Sequence, residues 1–163
     1  MSEHMQAANA ADFRHSKTLT LSCIGAGHVG STLCSLLSPH VQINQIINRT
    51  DGSAGQAVKF IGAGEAVSIN DQSYAGLRCA DIWMLTCPDD QLQCVGDALL
   101  SSGALQSDNI LFHCSGATSS TIFTKAEEMG VKVASLHPVH SFANPKSSLQ
   151  SFAGTACAIE GDT

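Results

Sequence analysis

The chain has 163 residues, a length that suits one domain with a complete hydrophobic core. Hydrophobic residues make up 44% and charged residues 13%, a globular composition that argues against disorder. The net charge of −6 and the absence of a Lys/Arg cluster argue against nucleic-acid binding. No apolar run approaches the ~20 residues that a membrane-spanning helix needs.

The first 17 residues are polar and Ala-rich, and they lack the apolar region of a signal peptide. We expect residues 1–17 to form a flexible leader, with an additional ordered helix as the alternative. The seven cysteines form no C-x-x-C pair, and most fall within apolar strand or helix patterns. These features predict reduced thiols, a cytoplasmic location and no metal site.

From residue 18 onward, apolar strand patterns alternate with helical ones. Strands are predicted over 18–24, 41–47, 66–69, 81–87, 109–115 and 131–137, with a possible seventh over 156–160. Helices are predicted over 28–38, 52–62, 88–103 and 119–130. This alternation predicts an α/β fold with a doubly wound, mainly parallel sheet of six to seven strands over residues 18–163. Because the sequence stops directly after a predicted strand, we expect a second domain to follow.

The stretch "GAGHVG" lies between the first strand and the first helix. In that setting Gly25 permits a tight turn, Gly27 lets the backbone approach a pyrophosphate, and Gly30 allows close packing of helix on strand. The helix N-terminus adds free N–H groups for phosphate. The turn therefore predicts a dinucleotide site, which also includes the intervening residues Ala26, His28 and Val29. A glycine-rich turn without a ligand is the alternative.

The second strand ends in Asn48, Arg49 and Thr50, where domains that bind NAD usually carry an acid. A guanidinium can pair with the 2′-phosphate of NADP, which favours NADP over NAD. Asp51 would repel that phosphate unless it caps the next helix. The alternative is that Arg49 is an ordinary solvated surface residue.

Together these features resemble the NADP-binding domains of the 6-phosphogluconate dehydrogenase-like superfamily. This group includes the ketopantoate reductases, prephenate dehydrogenases and F420-dependent NADP oxidoreductases. The stretches "ADIWMLTCPDDQL", "LFHCSGATSS", "VASLHPVHSF" and "FAGTACAIEGD" narrow the resemblance to bacterial proteins that join a Rossmann-like domain to a helical C-terminal domain of unknown function. The resemblance implies that such a helical domain, which we expect to follow this chain, shapes the substrate cleft and forms a homodimer.

The resemblance also implies that Thr86, Cys87 and Pro88 contact the cofactor. It places Ser115 near the nicotinamide, although a helix-capping role is equally open. His137 ends the sixth strand, where it could contact a small-molecule substrate, transfer a proton or act structurally. Ser115 and His137 are the catalytic candidates. A thiol nucleophile is disfavoured, since hydride transfer needs none and no paired base is evident.

The sequence thus predicts the cofactor domain of an NADP-dependent oxidoreductase that acts on a small ketoacid, imine or similar carbonyl compound. This chain alone is expected to be inactive. The alternative is a non-catalytic NADP(H)-binding sensor or regulatory module. An S-adenosylmethionine-dependent methyltransferase is a weaker third class, because such enzymes usually carry an acid where this chain has Asn48 and Arg49.

Overall fold

The computed structural model describes residues 17–69 and 73–162, and seven strands form one sheet within them. The strands are β1 (Thr20–Ile24), β2 (Gln42–Asn48), β3 (Glu65–Ser68), β4 (Ile82–Leu85), β5 (Ile110–His113), β6 (Lys132–Pro138) and β7 (Cys157–Gly161). They lie in the order β3-β2-β1-β4-β5-β6-β7. The first six run parallel and β7 pairs antiparallel with β6. The predicted mainly parallel α/β sheet is confirmed.

The predicted leader lies outside the described residues except for its last member, Lys17. Its ammonium group lies 2.7 Å from the carboxylate of Asp81. The same carboxylate accepts hydrogen bonds from the backbone N–H and the hydroxyl of Thr20, at 2.8 and 2.7 Å. These bonds join the starts of β1 and β4, and they hold the pKa of Asp81 well below its usual range.

Helices pack on both faces of the sheet. They are α1 (His28–Leu37), α2 (Asp51–Ile61), α3 (Leu92–Ser101) and the short α4 (Pro145–Ser151). The helices α1 and α2 share one apolar cluster with Leu21, Ile46 and Met84, whereas α3 packs on the opposite face with Trp83 and Leu85. Successive β4 residues therefore enter different cores, as a sheet buried on both faces requires.

The predictions of the first three helices are confirmed. Thr50 caps α2, since its hydroxyl accepts from the N–H of Ser53, and Gly62 ends α2 with φ of 78°. Ahead of α3, residues Asp89–Gln91 form a short 3-10 helix. In the described part of the chain, no helix is both long and apolar enough to cross a membrane.

The prediction of a helix over 119–130 is wrong. Only Ser120–Ile122 forms a 3-10 helix, and a series of turns follows. The β-branched residues Thr121, Ile122 and Thr124 favour helix poorly. In addition, the ring of Phe123 reaches into the core against α3, where a β-carbon on Gly96 would lie 2.3 Å from its Cε1 atom. Core packing and the β-branched residues together replace the helix with turns.

Candidate functional site

A cleft of about 880 Å³ opens at the carboxyl edge of the sheet, where β1 and β4 lie side by side. This is the point at which the strand order reverses direction, and ligands of open α/β sheets bind there. The cleft wall contains all the predicted cofactor-binding residues except two: Gly25, Ala26, Gly27, His28, Asn48, Arg49, Thr50, Thr86, Cys87 and Pro88.

The floor of the cleft is the glycine turn. Gly25 has φ of +86°, and a β-carbon there would lie 2.7 Å from the backbone nitrogen of Cys87. Its N–H donates to the carbonyl of Ile47 at 2.9 Å, and its carbonyl accepts from the Thr86 hydroxyl at 2.8 Å. The turn is thus tied to two neighbouring strands, and only glycine fits its conformation without strain.

The N-terminus of α1 opens onto this turn. The first helical hydrogen bond runs from the N–H of Ser31 to the carbonyl of Gly27, so the N–H groups of residues 28–30 have no acceptor within the helix. Among the described residues, no side chain caps α1. Free N–H groups at the positive end of a helix dipole form a site for phosphate.

Val29 and Gly30 are the two predicted residues that do not line the cleft. Val29 packs against the apolar cluster beneath α1. Gly30 allows α1 to approach the sheet, because a β-carbon there would lie 2.4 Å from the Thr86 hydroxyl and 3.1 Å from the Cys23 sulfur. Gly30 therefore has the packing role that the sequence predicts for it.

The far end of the cleft is polar and carries one cation, Arg49. Thr50 and Ser53 present hydroxyls beside it, 2.9 Å from each other. One interpretation of the sequence requires Asp51 to cap α2. The structure shows that Asp51 does not cap this helix. Thr50 caps the helix, and the Asp51 carboxylate instead accepts a hydrogen bond from the hydroxyl of Ser68. The carboxylate is thereby held on β3 rather than in the cleft wall.

The other end of the cleft is formed by Thr86, Cys87 and Pro88, directly after β4. Burial raises the pKa of the Cys87 thiol to about 11, and the nearby Asp89 and Asp90 charges act in the same direction. Burial likewise raises the pKa of Cys114 to about 12. Both thiols stay protonated at neutral pH, which disfavours a nucleophilic role.

The two catalytic candidates, Ser115 and His137, lie together outside the cleft. They line a second pocket of about 370 Å³, here named the β5–β7 pocket, along with Gly116, Ala117, Thr118, Ser119, Ser135, Ala158, Ile159 and Glu160. The Ser115 hydroxyl accepts from the N–H of Ala117 at 3.1 Å and donates to the Thr118 hydroxyl at 3.2 Å. Ser115 therefore stabilises a turn, not an α-helix.

His113 ends β5 between the two pockets and is fully buried. The N–H of Ser115 donates to its Nδ1 atom at 3.2 Å, so the ring proton of the neutral form lies on Nε2. Its ring packs edge-on against Phe123, with 5.7 Å between centroids. Burial lowers the pKa of His113, and the Ser119 backbone and the Glu160 charge oppose that shift.

The sequence interpretation missed the segment that follows β6. The ring of His28 donates from Nδ1 to the carbonyl of Phe142 at 3.0 Å, and Pro145 at the start of α4 lines the cleft. The signal for α4 is the pair Asn144 and Pro145, since the Asn144 side chain accepts from two N–H groups and proline suits a first helical position.

Further missed residues come from the first turn of α1 and from one face of α2. They line the cleft as Ser31, Gln56, Ala57 and Phe60. The α2 members share the helical spacing that begins at Ser53, a periodicity that could have found them. Among residues 17–69 and 73–162, no group of three His, Cys, Asp or Glu side chains is arranged to hold a metal ion.

The strand order and the glycine turn between β1 and α1 define an α/β domain of the doubly wound class. The chain belongs to the Rossmann-like domain family, whose sequence pattern it matches over residues 4–138. The Rossmann-like domain predicted from the sequence motifs is thereby confirmed. None of the curated proteins matches this sequence.

Several solved structures share the fold at low sequence identity. A Bacteroides fragilis protein assigned as an NADP oxidoreductase has a TM-score of 0.69 at 16% identity, over 90% of this chain and 52% of its own. A Mycobacterium tuberculosis 3-hydroxyisobutyrate dehydrogenase has a TM-score of 0.65 at 16% identity, over 90% and 47%. An Aquifex aeolicus prephenate dehydrogenase has a TM-score of 0.62 at 18% identity, over 85% and 50%. The chain thus spans about half the length of these proteins.

Proposed function

We propose that this chain is the cofactor domain of an oxidoreductase that uses NADP(H) to reduce a small carbonyl or imine compound, or to oxidise the product. The observation that carries the proposal is the Gly25 turn beneath the uncapped start of α1. The turn leaves no room for a side chain, and the free N–H groups suit a pyrophosphate. Similarity in fold to proteins named as dehydrogenases supports the reaction class.

The preference for NADP over NAD rests on the polar end of the cleft. Arg49 supplies a cation there, and Thr50 and Ser53 add hydroxyl groups. The carboxylate of Asp51 lies outside the cleft wall and accepts a hydrogen bond from Ser68, and this placement lessens the repulsion that it would exert on a 2′-phosphate. When bound, the cofactor supplies the hydride chemistry, and this chain's residues bind and orient it.

Arg49→Ala tests the NADP assignment. NADPH binding should weaken by about 1.5–3 kcal/mol, the size of a hydrogen bond to a charged group, while NADH binding changes little. Trp83 is the only tryptophan and is buried, so energy transfer from it to the bound dihydronicotinamide reports binding. Arg78→Ala is the matched control, because Arg78 pairs with Glu65 at the start of β3, at the end of the sheet opposite to the carboxyl ends of the strands. Equal losses for NADPH and NADH would refute the role of Arg49.

A second candidate is an NADP(H)-binding sensor without chemistry. It is favoured by the position of Ser115 and His137, which line the β5–β7 pocket and not the cleft. Turnover of carbonyl or imine substrates by a form that includes any following domain would separate the two functions. We further propose a homodimer formed through that domain and, from seven free cysteines, a reducing cytoplasmic location.

A further inference from the structure

The β5–β7 pocket lies at the same edge of the sheet as the cofactor cleft, on the next strands along. Leu85 of β4 pairs with His113 of β5, and the N–H of Cys114 donates to the carbonyl of Leu85 at 3.3 Å. Neighbouring strands are about 4.8 Å apart. A molecule in this pocket would therefore lie beside a cofactor that contacts Thr86–Pro88.

The charged side chain in the wall of this pocket is an acid. Glu160 lies on β7, and the wall contains neither lysine nor arginine. Its carboxylate accepts from the N–H of Ser120 through Oε1 and from the Ser120 hydroxyl through Oε2, the latter at 3.1 Å. A carboxylate offers about four acceptor positions, and the bonds from Ser120 and from the Ser119 side chain leave at least one for a ligand. The Ser120 N–H holds the pKa of Glu160 below its usual range, which keeps the group ionised at neutral pH.

The second titratable side chain of the wall also offers an acceptor. His137 donates from Nδ1 to the carbonyl of Cys114, 3.4 Å away, so Nε2 of the neutral ring carries a lone pair. The ring lies against the α-carbon of Gly116, where a β-carbon would come within 2.7 Å of both Cε1 and Nε2. The pocket thus combines one carboxylate with an imidazole nitrogen whose lone pair, in the neutral ring, can accept a hydrogen bond.

This charge pattern distinguishes between the possible substrates. A ketoacid carries a carboxylate that would meet Glu160, and the wall holds neither lysine nor arginine to offset the repulsion. An iminium ion carries a positive charge and an N–H group, both of which suit an acidic wall. We propose that the β5–β7 pocket binds an iminium substrate, and that Glu160 selects it over carboxylate-bearing carbonyl compounds. The assignment rests on the oxidoreductase function proposed above.

The redox step balances without a proton donor. The iminium carbon gains a hydride, forming a C–H bond, while the C=N π electrons become the nitrogen lone pair of a neutral amine. The dihydronicotinamide is oxidised to NADP⁺. Reduction of a carbonyl would leave an alkoxide that needs a proton, whereas reduction of an iminium ion requires none from the wall. The proton balance of the reaction and the charge of the pocket therefore both favour an iminium substrate.

Three probes of equal chain length test the charge preference at pH 7: n-butylammonium, butyramide and butyrate. Each is titrated into the chain with NADP⁺ present, and binding is followed by NMR shifts of the amides of residues 116–119. We expect n-butylammonium to bind about fivefold more tightly than butyrate, as one solvent-accessible charge would produce. Equal binding of butyrate in this pocket would overturn the proposal.

Glu160→Gln should reduce the preference for n-butylammonium over butyrate to less than about twofold, because it removes the charge of the carboxylate. Glu128→Gln, which removes an exposed acid outside the pocket wall, should leave it unchanged. If Glu160→Gln disturbs the loop of residues 116–119, Glu160→Asp serves as a second variant. Because Glu160→Asp keeps the charge, it should retain the preference for n-butylammonium over butyrate. A preference that survives in Glu160→Gln would show that the charge is not the determinant.

The same samples separate this inference from the function on which it rests. Energy transfer from Trp83 reports NADPH binding independently of the amine probes. If NADPH does not bind, the proposed function fails and the iminium assignment fails with it. If NADPH binds but n-butylammonium is not preferred, the assignment of the pocket alone is overturned.

Discussion

The cofactor cleft and the β5–β7 pocket lie along one edge of the sheet but are built differently. The turn in the cleft is formed by backbone, with Gly25 against the main chain of Cys87 and free N–H groups at the start of α1. The β5–β7 pocket is formed by side chains, among them Ser115, His137 and Glu160. A backbone site accepts little change but suits any dinucleotide. In a side-chain site, one substitution changes the charge that a ligand meets.

The largest effect should come from Gly25→Ala. The residue has φ of +86°, and an added β-carbon would lie 2.7 Å from the Cys87 nitrogen, which cannot move without moving the strand end. We expect a loss of about 2–4 kcal/mol in the free energy of unfolding and loss of NADPH binding. Denaturant unfolding followed by Trp83 fluorescence measures the first quantity, and energy transfer measures the second.

Gly55→Ala is the matched control for that prediction. Gly55 lies in the middle of α2, and a β-carbon there meets nothing within 4 Å. Because alanine favours helix over glycine, this variant should gain about 0.5–1 kcal/mol and bind NADPH normally. If Gly25→Ala is as stable as Gly55→Ala and binds NADPH as well, the cleft is not built on the backbone contact of Gly25.

Gly116→Ala makes the same change in the other pocket, with a smaller expected cost. The new β-carbon would lie 2.7 Å from the His137 ring, but a side chain can rotate away where a backbone cannot. We expect the unfolding free energy to fall by about 1 kcal/mol.

The affinity of Gly116→Ala for NADPH should stay within about twofold of the wild-type value, since a substitution away from a site usually changes free energies by no more than that. Binding of n-butylammonium should weaken measurably, because the displaced ring narrows the pocket. Equal losses of NADPH and n-butylammonium would show that the two pockets do not act separately.

The same contrast explains which parts of the molecule the sequence could predict. The glycine turn is local: its glycines, the preceding strand and the following helix lie within residues 20–37. Periodicity and glycine spacing therefore predicted it, and the mainly parallel sheet followed from the βαβ alternation. Cleft residues far along the chain, such as Pro145, could not be placed in this way. They reach the cleft through packing of α4 on α1.

The predicted helix over 119–130 was wrong for a related reason. Its serine and threonine caps and its closing glycine are local helix signals. The conformation is instead set by contacts distant in sequence: Phe123 against Gly96, and Ser120 with Glu160. The position of Glu160 in the β5–β7 pocket could not be predicted either. It depends on the antiparallel pairing of β7 with β6. The two strands are not joined by a short turn whose sequence could predict that pairing.

The smallest expected effect concerns His113, which stands between the two regions. Burial lowers its pKa in the folded state, so the unfolded chain binds a proton more readily. Stability is therefore full above the unfolded value of about 6.5 and decreases as the pH falls from there through the folded pKa. Protonation of Nδ1 would also remove the acceptor for the Ser115 N–H, and we expect this loss to loosen residues 115–119 of the β5–β7 pocket.

Unfolding followed by Trp83 fluorescence at pH 7.5 and 5.5 tests this prediction. The wild-type chain should be less stable at pH 5.5, and His113→Asn should reduce the difference between the two pH values. His40→Asn, a change at an exposed histidine, should leave the difference as it is. Because His113 contacts the pocket loop and not the glycine turn, the lower pH should shift the amides of residues 115–119 more than those of residues 25–30. The opposite order would place the pH-sensitive contact in the cofactor cleft and remove the distinction between the two regions.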